Sequence, residues 1–233
     1  MKNIREHVTQ KLETDVKLFY KFTDSSGVVR IEESDSNTKK SNQDLVLVKL
    51  NNIPQENIWI FENEFYQNKY PNLILDGQKG AFSSAGYKVE KTVLWHYEDK
   101  LFLFMFEMKT TMSIENFSKV KDKFEGSLST ISIFIASHSE LSELLDTTIY
   151  PVGICCYNYE DMTLTRYYSG SEAKETFKTK YIEDFKREFN VKVEPLALTR
   201  LYVPVIFYRN HTTPVTTGFE IDFQDILDRL ATI

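Results

Sequence analysis

The run Leu101-Phe102-Leu103-Phe104-Met105-Phe106-Glu107-Met108-Lys109 is very apolar and ends with two charged residues. A run of this length and composition, bounded by polar residues, predicts a central β-strand that is buried on both faces. Side chains alternate between the two faces of a strand, so Glu107 and Lys109 point to the same side, at the end of a hydrophobic layer. Burying such charges costs roughly several kcal/mol unless they are paired or bind something. The pair is therefore a candidate functional site.

The preceding segment, residues 88–97, is rich in β-branched and aromatic side chains and is predicted to be the neighbouring strand. The polar residues Glu98-Asp99 form a short turn between the two strands. A two-residue turn places Glu90 directly opposite Glu107, with Cβ atoms roughly 5 Å apart, whereas one further turn residue would move Glu90 to the other face. Two carboxylates at that distance repel each other unless a divalent cation lies between them or one of them holds a proton.

An acid at the start of one strand, a short hairpin, and Glu-x-Lys at the end of the next strand resemble the core of the PD-(D/E)XK nuclease superfamily, which includes restriction endonucleases. The resemblance covers roughly residues 1–160 and is best from Gly86 to Lys109. It implies an α/β fold in which helices flank a mixed central β-sheet. The restriction-endonuclease-like core runs helix, three-strand meander, helix, strand. Residues 161–233 are then expected to form a C-terminal extension on the same domain, with a β-hairpin and a helix.

The same resemblance implies a Mg²⁺-dependent nuclease that hydrolyses phosphodiester bonds. Mg²⁺ prefers oxygen ligands and keeps several waters, so Glu90 and Glu107 are expected to hold it, with Mn²⁺ as a substitute. The bound metal makes a water nucleophilic, and Lys109 is expected to orient that water or to stabilise developing charge. The expected catalytic residues are thus Glu90, Glu107 and Lys109.

The acid at the first position of the family motif is usually Asp, whereas Glu90 occupies the matching position here. Asp76 and Asp99 are therefore alternative acids. Glu13, on a predicted N-terminal helix, is a further candidate, because an acid from the first helix joins the site in many nucleases of this fold.

A helix is predicted to begin at Ser113, because apolar side chains follow it at helical spacing. Lys119, Lys121 and Lys123 form a basic rim on this helix. In the fold that the chain resembles, this helix often meets nucleic acid, so we predict that the three lysines contact the substrate. The expected partner is nucleic acid, with DNA favoured, and a homodimer is compatible with the resemblance.

Two other interpretations remain open. In the first, the chain is a catalytically silent module with a nuclease fold that binds nucleic acid or a protein. The net charge of −6 and the pI of about 5.4 favour it, because nucleic-acid-binding proteins are usually basic. In the second, Glu107 and Lys109 form a purely structural ion pair in an unrelated α+β protein.

Composition and length predict one domain, since 42% of the 233 residues are hydrophobic. No run of eighteen apolar residues occurs and the first residues are polar, so we expect a soluble cytoplasmic protein without a membrane partner. The only cysteines, Cys155 and Cys156, are adjacent in a predicted strand and should point to opposite faces as free core thiols.

Further elements are predicted from local patterns of apolar residues. They are strands at residues 44–50 and 148–159, a last hairpin formed by residues 196–209 and 215–221, and a terminal helix at residues 222–230.

Overall fold

Ten β-strands and two α-helices make up the part of the chain that the computed structural model describes. That part consists of residues 19–22, 24–32, 44–62, 89–137, 148–160, 189–193 and 201–231. The strands are β1 (Phe19–Lys21), β2 (Val29–Glu32), β3 (Leu47–Asn51), β4 (Ile58–Phe61), β5 (Lys91–Tyr97), β6 (Lys100–Met112), β7 (Thr148–Glu160), β8 (Phe189–Val193), β9 (Leu201–Arg209) and β10 (Gly218–Asp222). The helices are α1 (Ile114–Ser137) and α2 (Phe223–Leu230). Neither described helix is long and apolar enough to cross a membrane.

Seven strands form a mixed sheet in the order β1-β4-β5-β6-β7-β9-β8. β4, β5 and β6 are successive antiparallel neighbours, whereas β7 runs parallel to β6. Parallel neighbours need a crossover connection, and α1 lies between these two strands in the chain. β9 continues the parallel part beside β7, and β8 pairs with it antiparallel. The protein is therefore of mixed α/β class, as the sequence predicts.

The register of the β5–β6 hairpin is the one that a two-residue turn predicts. Tyr97 pairs with Lys100 and Lys91 pairs with Phe106. The backbone N–H of Glu90 donates to the carbonyl of Phe106 at 3.1 Å, at the start of the hairpin. The predicted hairpin pairing is thus confirmed.

A second sheet has three strands in the order β10-β3-β2. Its composition corrects the predicted last hairpin of residues 196–209 and 215–221: in the described part of these ranges, β10 does not pair with β9. β10 runs parallel to β3, while β9 pairs with β7 and β8 in the main sheet. The prediction was wrong because alternating apolar residues show that a strand has a buried face but not which strand lies beside it. Ile221 of β10 contributes to the core between the two sheets.

The central strands of the main sheet are buried on both faces, so β6 has an apolar layer on each side, as its sequence predicts. On one face, Phe124 of α1 packs in an apolar layer with Leu103 and Met105 of β6. The second sheet and α2 pack against the other face, over an apolar layer that includes Phe104 and Phe106. The two cysteines are free and buried, and each belongs to a different layer, which confirms that they point to opposite faces.

Candidate functional site

Glu90 and Glu107 meet on the α1 side of the main sheet. Alternation along β6 directs Glu107 to that side, and the hairpin register brings Glu90 opposite to it. The side chains are only 2% and 0% exposed, respectively. Oε2 of Glu90 accepts a hydrogen bond from the backbone N–H of Met108 at 3.1 Å, which anchors the first acid to the motif strand itself.

The proximity of the two acids changes the ionisation of Glu90. Burial is the largest cause and the negative charge of Glu107 the second; together they raise the pKa of Glu90 from 4.5 to about 8. Lys123 and Lys109 act in the opposite direction but do not outweigh these effects. Glu90 therefore holds a proton at neutral pH when no further cation is present, as expected for two carboxyls that share a buried site.

Two ammonium groups contact the acid pair. Nζ of Lys109 forms an ion pair with Oε1 of Glu107 and donates to the carbonyl of Met108 at 3.2 Å. Nζ of Lys123, from α1, lies 2.8 Å from Oε1 of Glu107 and 3.3 Å from Oε1 of Glu90. The two lysine side chains are 20% and 18% exposed, so the positive side of the cluster lies nearer to the surface than the acids.

Helix α1 sets the position of Lys123. The helix begins after Ser113, whose Oγ accepts from the N–H of Asn116 at 3.1 Å, which is an N-cap contact. One turn after Lys123, the buried hydroxyl of Ser127 accepts from the N–H of Val89 at 2.9 Å. The helix therefore fixes the backbone immediately before Glu90 and also supplies the Lys123 ammonium. Sequence reasoning missed Ser127, although its i, i+4 spacing from Lys123 places both on one helix face.

The predicted basic rim is divided between two environments. Lys119 and Lys121 are exposed, and Lys121 is 3.4 Å from Glu125, one turn further along α1. Lys123 instead points inward to the acids. The predicted contact of these lysines with nucleic acid stays a prediction; Lys123 points inward because the flank of the helix that carries it faces the β5–β6 hairpin.

Of the three further acids considered from the sequence, the structure describes only Asp99, and it places Asp99 away from this site. Asp99 lies in the hairpin turn, at the other end of β6 from Glu107, and eight residues of strand span roughly 26 Å. Glu13 and Asp76 lie outside the described residues, so their assignment stays a prediction.

The acid pair has the donor atoms that Mg²⁺ requires. Oε2 of Glu107 is buried and accepts no hydrogen bond from the described residues, so a cation or a proton would satisfy it. The described residues contain no group of three or more His, Cys, Asp or Glu side chains that could hold a metal. Mg²⁺ is commonly bound through one or two carboxylates, with water and substrate phosphate completing its shell, and two carboxylates are what this site offers.

No protein-family model, no curated protein and no solved structure matches the chain. The chemistry of the site is therefore inferred from its geometry.

Proposed function

We propose that the protein is a Mg²⁺-dependent nuclease of restriction-endonuclease-like type, in which Glu90 and Glu107 hold the metal and Lys109 lies at the attacking water. The observation that carries this proposal is the meeting of two buried carboxylates and the Lys109 ammonium towards the end of one central strand. Buried charges of this kind are costly and are typical of functional sites.

The topology around the site supports the same proposal. Strands β4, β5 and β6 form an antiparallel meander, α1 follows, and β7 is parallel to β6. The resemblance to the PD-(D/E)XK core implies such a meander, helix and following strand; the first helix of that core would fall on residues outside the described part of the chain. The Glu-x-Lys motif lies in the second half of the third meander strand, directly before the helix.

The chemistry of phosphodiester hydrolysis assigns a role to each side chain. Bound Mg²⁺ would lower the pKa of a water and offset negative charge on the phosphate. Glu107 would offer Oε2, which accepts no hydrogen bond from the described residues, as a ligand, and Glu90 is held against the backbone of Met108. Lys109 is fixed by Glu107 and by the carbonyl of Met108, so its ammonium is positioned to stabilise the negative charge of the attacking oxygen.

Cleavage assays with purified protein test the proposal. DNA and RNA should be cut with Mg²⁺ or Mn²⁺, and EDTA should stop the reaction. Lys109→Ala should keep its metal and lose roughly 100-fold or more in rate, the scale for removing one transition-state charge donor. Glu107→Gln should lose both metal and cleavage, because an amide is a poorer Mg²⁺ ligand than a carboxylate.

A matched control is Lys49→Ala, which removes an ammonium that pairs with Glu220 in the second sheet, at 3.0 Å. This variant should cleave like the parent. Cleavage that survives Lys109→Ala unchanged would contradict the assignment and indicate contamination or another site.

A second candidate is a catalytically silent module that retains the fold and binds nucleic acid or a protein. Two observations favour it: Lys109 and Lys123 supply as much formal charge as the two acids, and the chain as a whole has a net charge of −6. Binding of nucleic acid without cleavage, under any divalent cation, would select this candidate.

A further inference from the structure

Lys123 occupies the position that a bridging cation needs. Its Nζ is the atom that contacts both carboxylates, at 2.8 Å from Oε1 of Glu107 and 3.3 Å from Oε1 of Glu90. A Mg²⁺ ion shared by these oxygens would sit roughly 2.1 Å from each. A metal ion held by these two oxygens would therefore overlap with the ammonium of Lys123.

We propose that Lys123 is the internal counter-cation of the acid pair, and that Mg²⁺ must displace it to bind. The proposal rests on the proposed function, since it concerns the metal site of the same enzyme. It makes Lys123 a positioning residue: it holds the two carboxylates together in the metal-free protein and sets the affinity of the site for divalent cations.

Electrostatics and geometry both support displacement. In the metal-free protein, the Lys123 ammonium is the positive charge that lies against both buried acidic side chains. A divalent ion brings twice that charge, and two cations in the same space repel each other. Lysine has a flexible four-carbon stem, and 18% of the Lys123 side chain is already exposed, so its ammonium can move towards solvent while its stem remains on α1.

A purely structural ion pair predicts a different behaviour. Lys109 gives the contrast, because its Nζ contacts one acid of the pair, Glu107, and the Met108 carbonyl, whereas Nζ of Lys123 contacts both acids. If Lys123 were only structural, its removal would leave the acids without the positive charge that contacts both of them. Metal ions would then raise the melting temperature of the variant no more than that of the parent. Competition predicts that the variant gains metal affinity.

The test measures Mn²⁺ binding by calorimetry and thermal unfolding of the full chain, with and without Mn²⁺. Lys123→Met keeps the length of the side chain and removes its charge. Lys123→Arg keeps the charge and therefore the competition. Lys49→Met removes a lysine from the ion pair with Glu220, at a distance from the acid pair, and serves as the control.

Lys123→Met should bind Mn²⁺ about tenfold to a hundredfold more tightly than the parent, the factor for removing one charged contact. Its melting temperature should be below that of the parent in EDTA and should rise more than that of the parent when Mn²⁺ is added. Lys123→Arg should bind no more tightly than the parent, and Lys49→Met should bind like the parent.

Equal or weaker binding by Lys123→Met, while the parent binds Mn²⁺, would overturn the inference and leave the proposed function intact. Absence of binding in the parent and in all variants would overturn both. If Lys123→Met folds only when Mn²⁺ is present, the metal has replaced the ammonium, as proposed. Failure to fold even with Mn²⁺ would overturn the inference, because the metal would then be unable to take over from the ammonium.

Discussion

The metal-free protein should lose stability as the pH rises through the neutral range, because of Glu90. Burial and the charge of Glu107 raise the pKa of Glu90 in the folded protein from 4.5 to about 8. The unfolded chain has the ordinary value, so unfolding between these two pH values releases a proton. A reaction that releases a proton is favoured by rising pH. The contribution of Glu90 to stability is thus fully present below pH 4.5 and is lost by about pH 8.

The size of this effect follows from the pKa. Each unit of pKa corresponds to about 1.4 kcal/mol, so a rise from 4.5 to about 8 sets an upper value of about 5 kcal/mol. The side chain of Glu90 is 2% exposed, which leaves little solvent screening to reduce it. A fall of a few kcal/mol is a large share of the total stability of a typical domain, about 5–15 kcal/mol.

The assay is urea unfolding in EDTA, followed by circular dichroism from about pH 5 to about pH 9. The control is Glu90→Gln, whose amide resembles the protonated acid and can still accept from the N–H of Met108. The free energy of unfolding of this variant should change much less over the range, and at high pH the variant should be more stable than the parent. If the parent keeps its stability from pH 5 to pH 8, or gains stability relative to Glu90→Gln, the reasoning is refuted.

Three further predictions test the contacts that position α1 and the lysines on its surface. Ser127→Ala should cost about 1–3 kcal/mol in urea unfolding, since it leaves a buried backbone N–H without an acceptor; a smaller loss would contradict this contact. Gly153→Ala should cost about 1–3 kcal/mol, because its Cβ would lie 2.4 Å from Cζ of Phe124; an unchanged melting temperature would contradict the packing of α1 on β7. Changing Lys119 and Lys121 together to Glu should weaken nucleic-acid binding at low salt and reduce the slope of log affinity against log salt concentration by about two. A binding curve that is unchanged from the parent's, followed by fluorescence anisotropy of the nucleic acid, would place the binding surface elsewhere.

The hairpin and the acid pair could be predicted because both depend on short-range rules. Alternation along residues 101–109 places Glu107 and Lys109 on one face, and the length of the turn fixes which residues lie opposite each other. The structure has both features. The start of α1 was also predictable, because Ser113 caps it and the apolar spacing after Ser113 is helical.

Features that depend on long-range packing were not predictable. β9 and β10 are close in sequence, yet they belong to different sheets. Their local patterns only show that each has a buried face, and choosing a partner strand requires the rest of the core. The inward direction of Lys123 is a similar case, since a lysine beside the apolar stripe of a helix is compatible with solvent or with a buried acid. Only the placement of α1 across the β5–β6 hairpin decides between them.

The charge balance of the cluster weighs against a purely structural role. In a well-satisfied buried network, cationic partners hold the pKa of a carboxyl below its ordinary value. Glu90 behaves in the opposite way: with Lys109 and Lys123 both nearby, its pKa is still raised to about 8. Oε2 of Glu107 is also left without a hydrogen bond from the described residues. Both observations are consistent with a site in which the two acids retain one proton in addition to the two ammonium groups. Under the proposed function, a divalent cation would take the place of this proton; in a purely structural core, hydrophobic residues of similar size would be at least as stable as such a charged cluster.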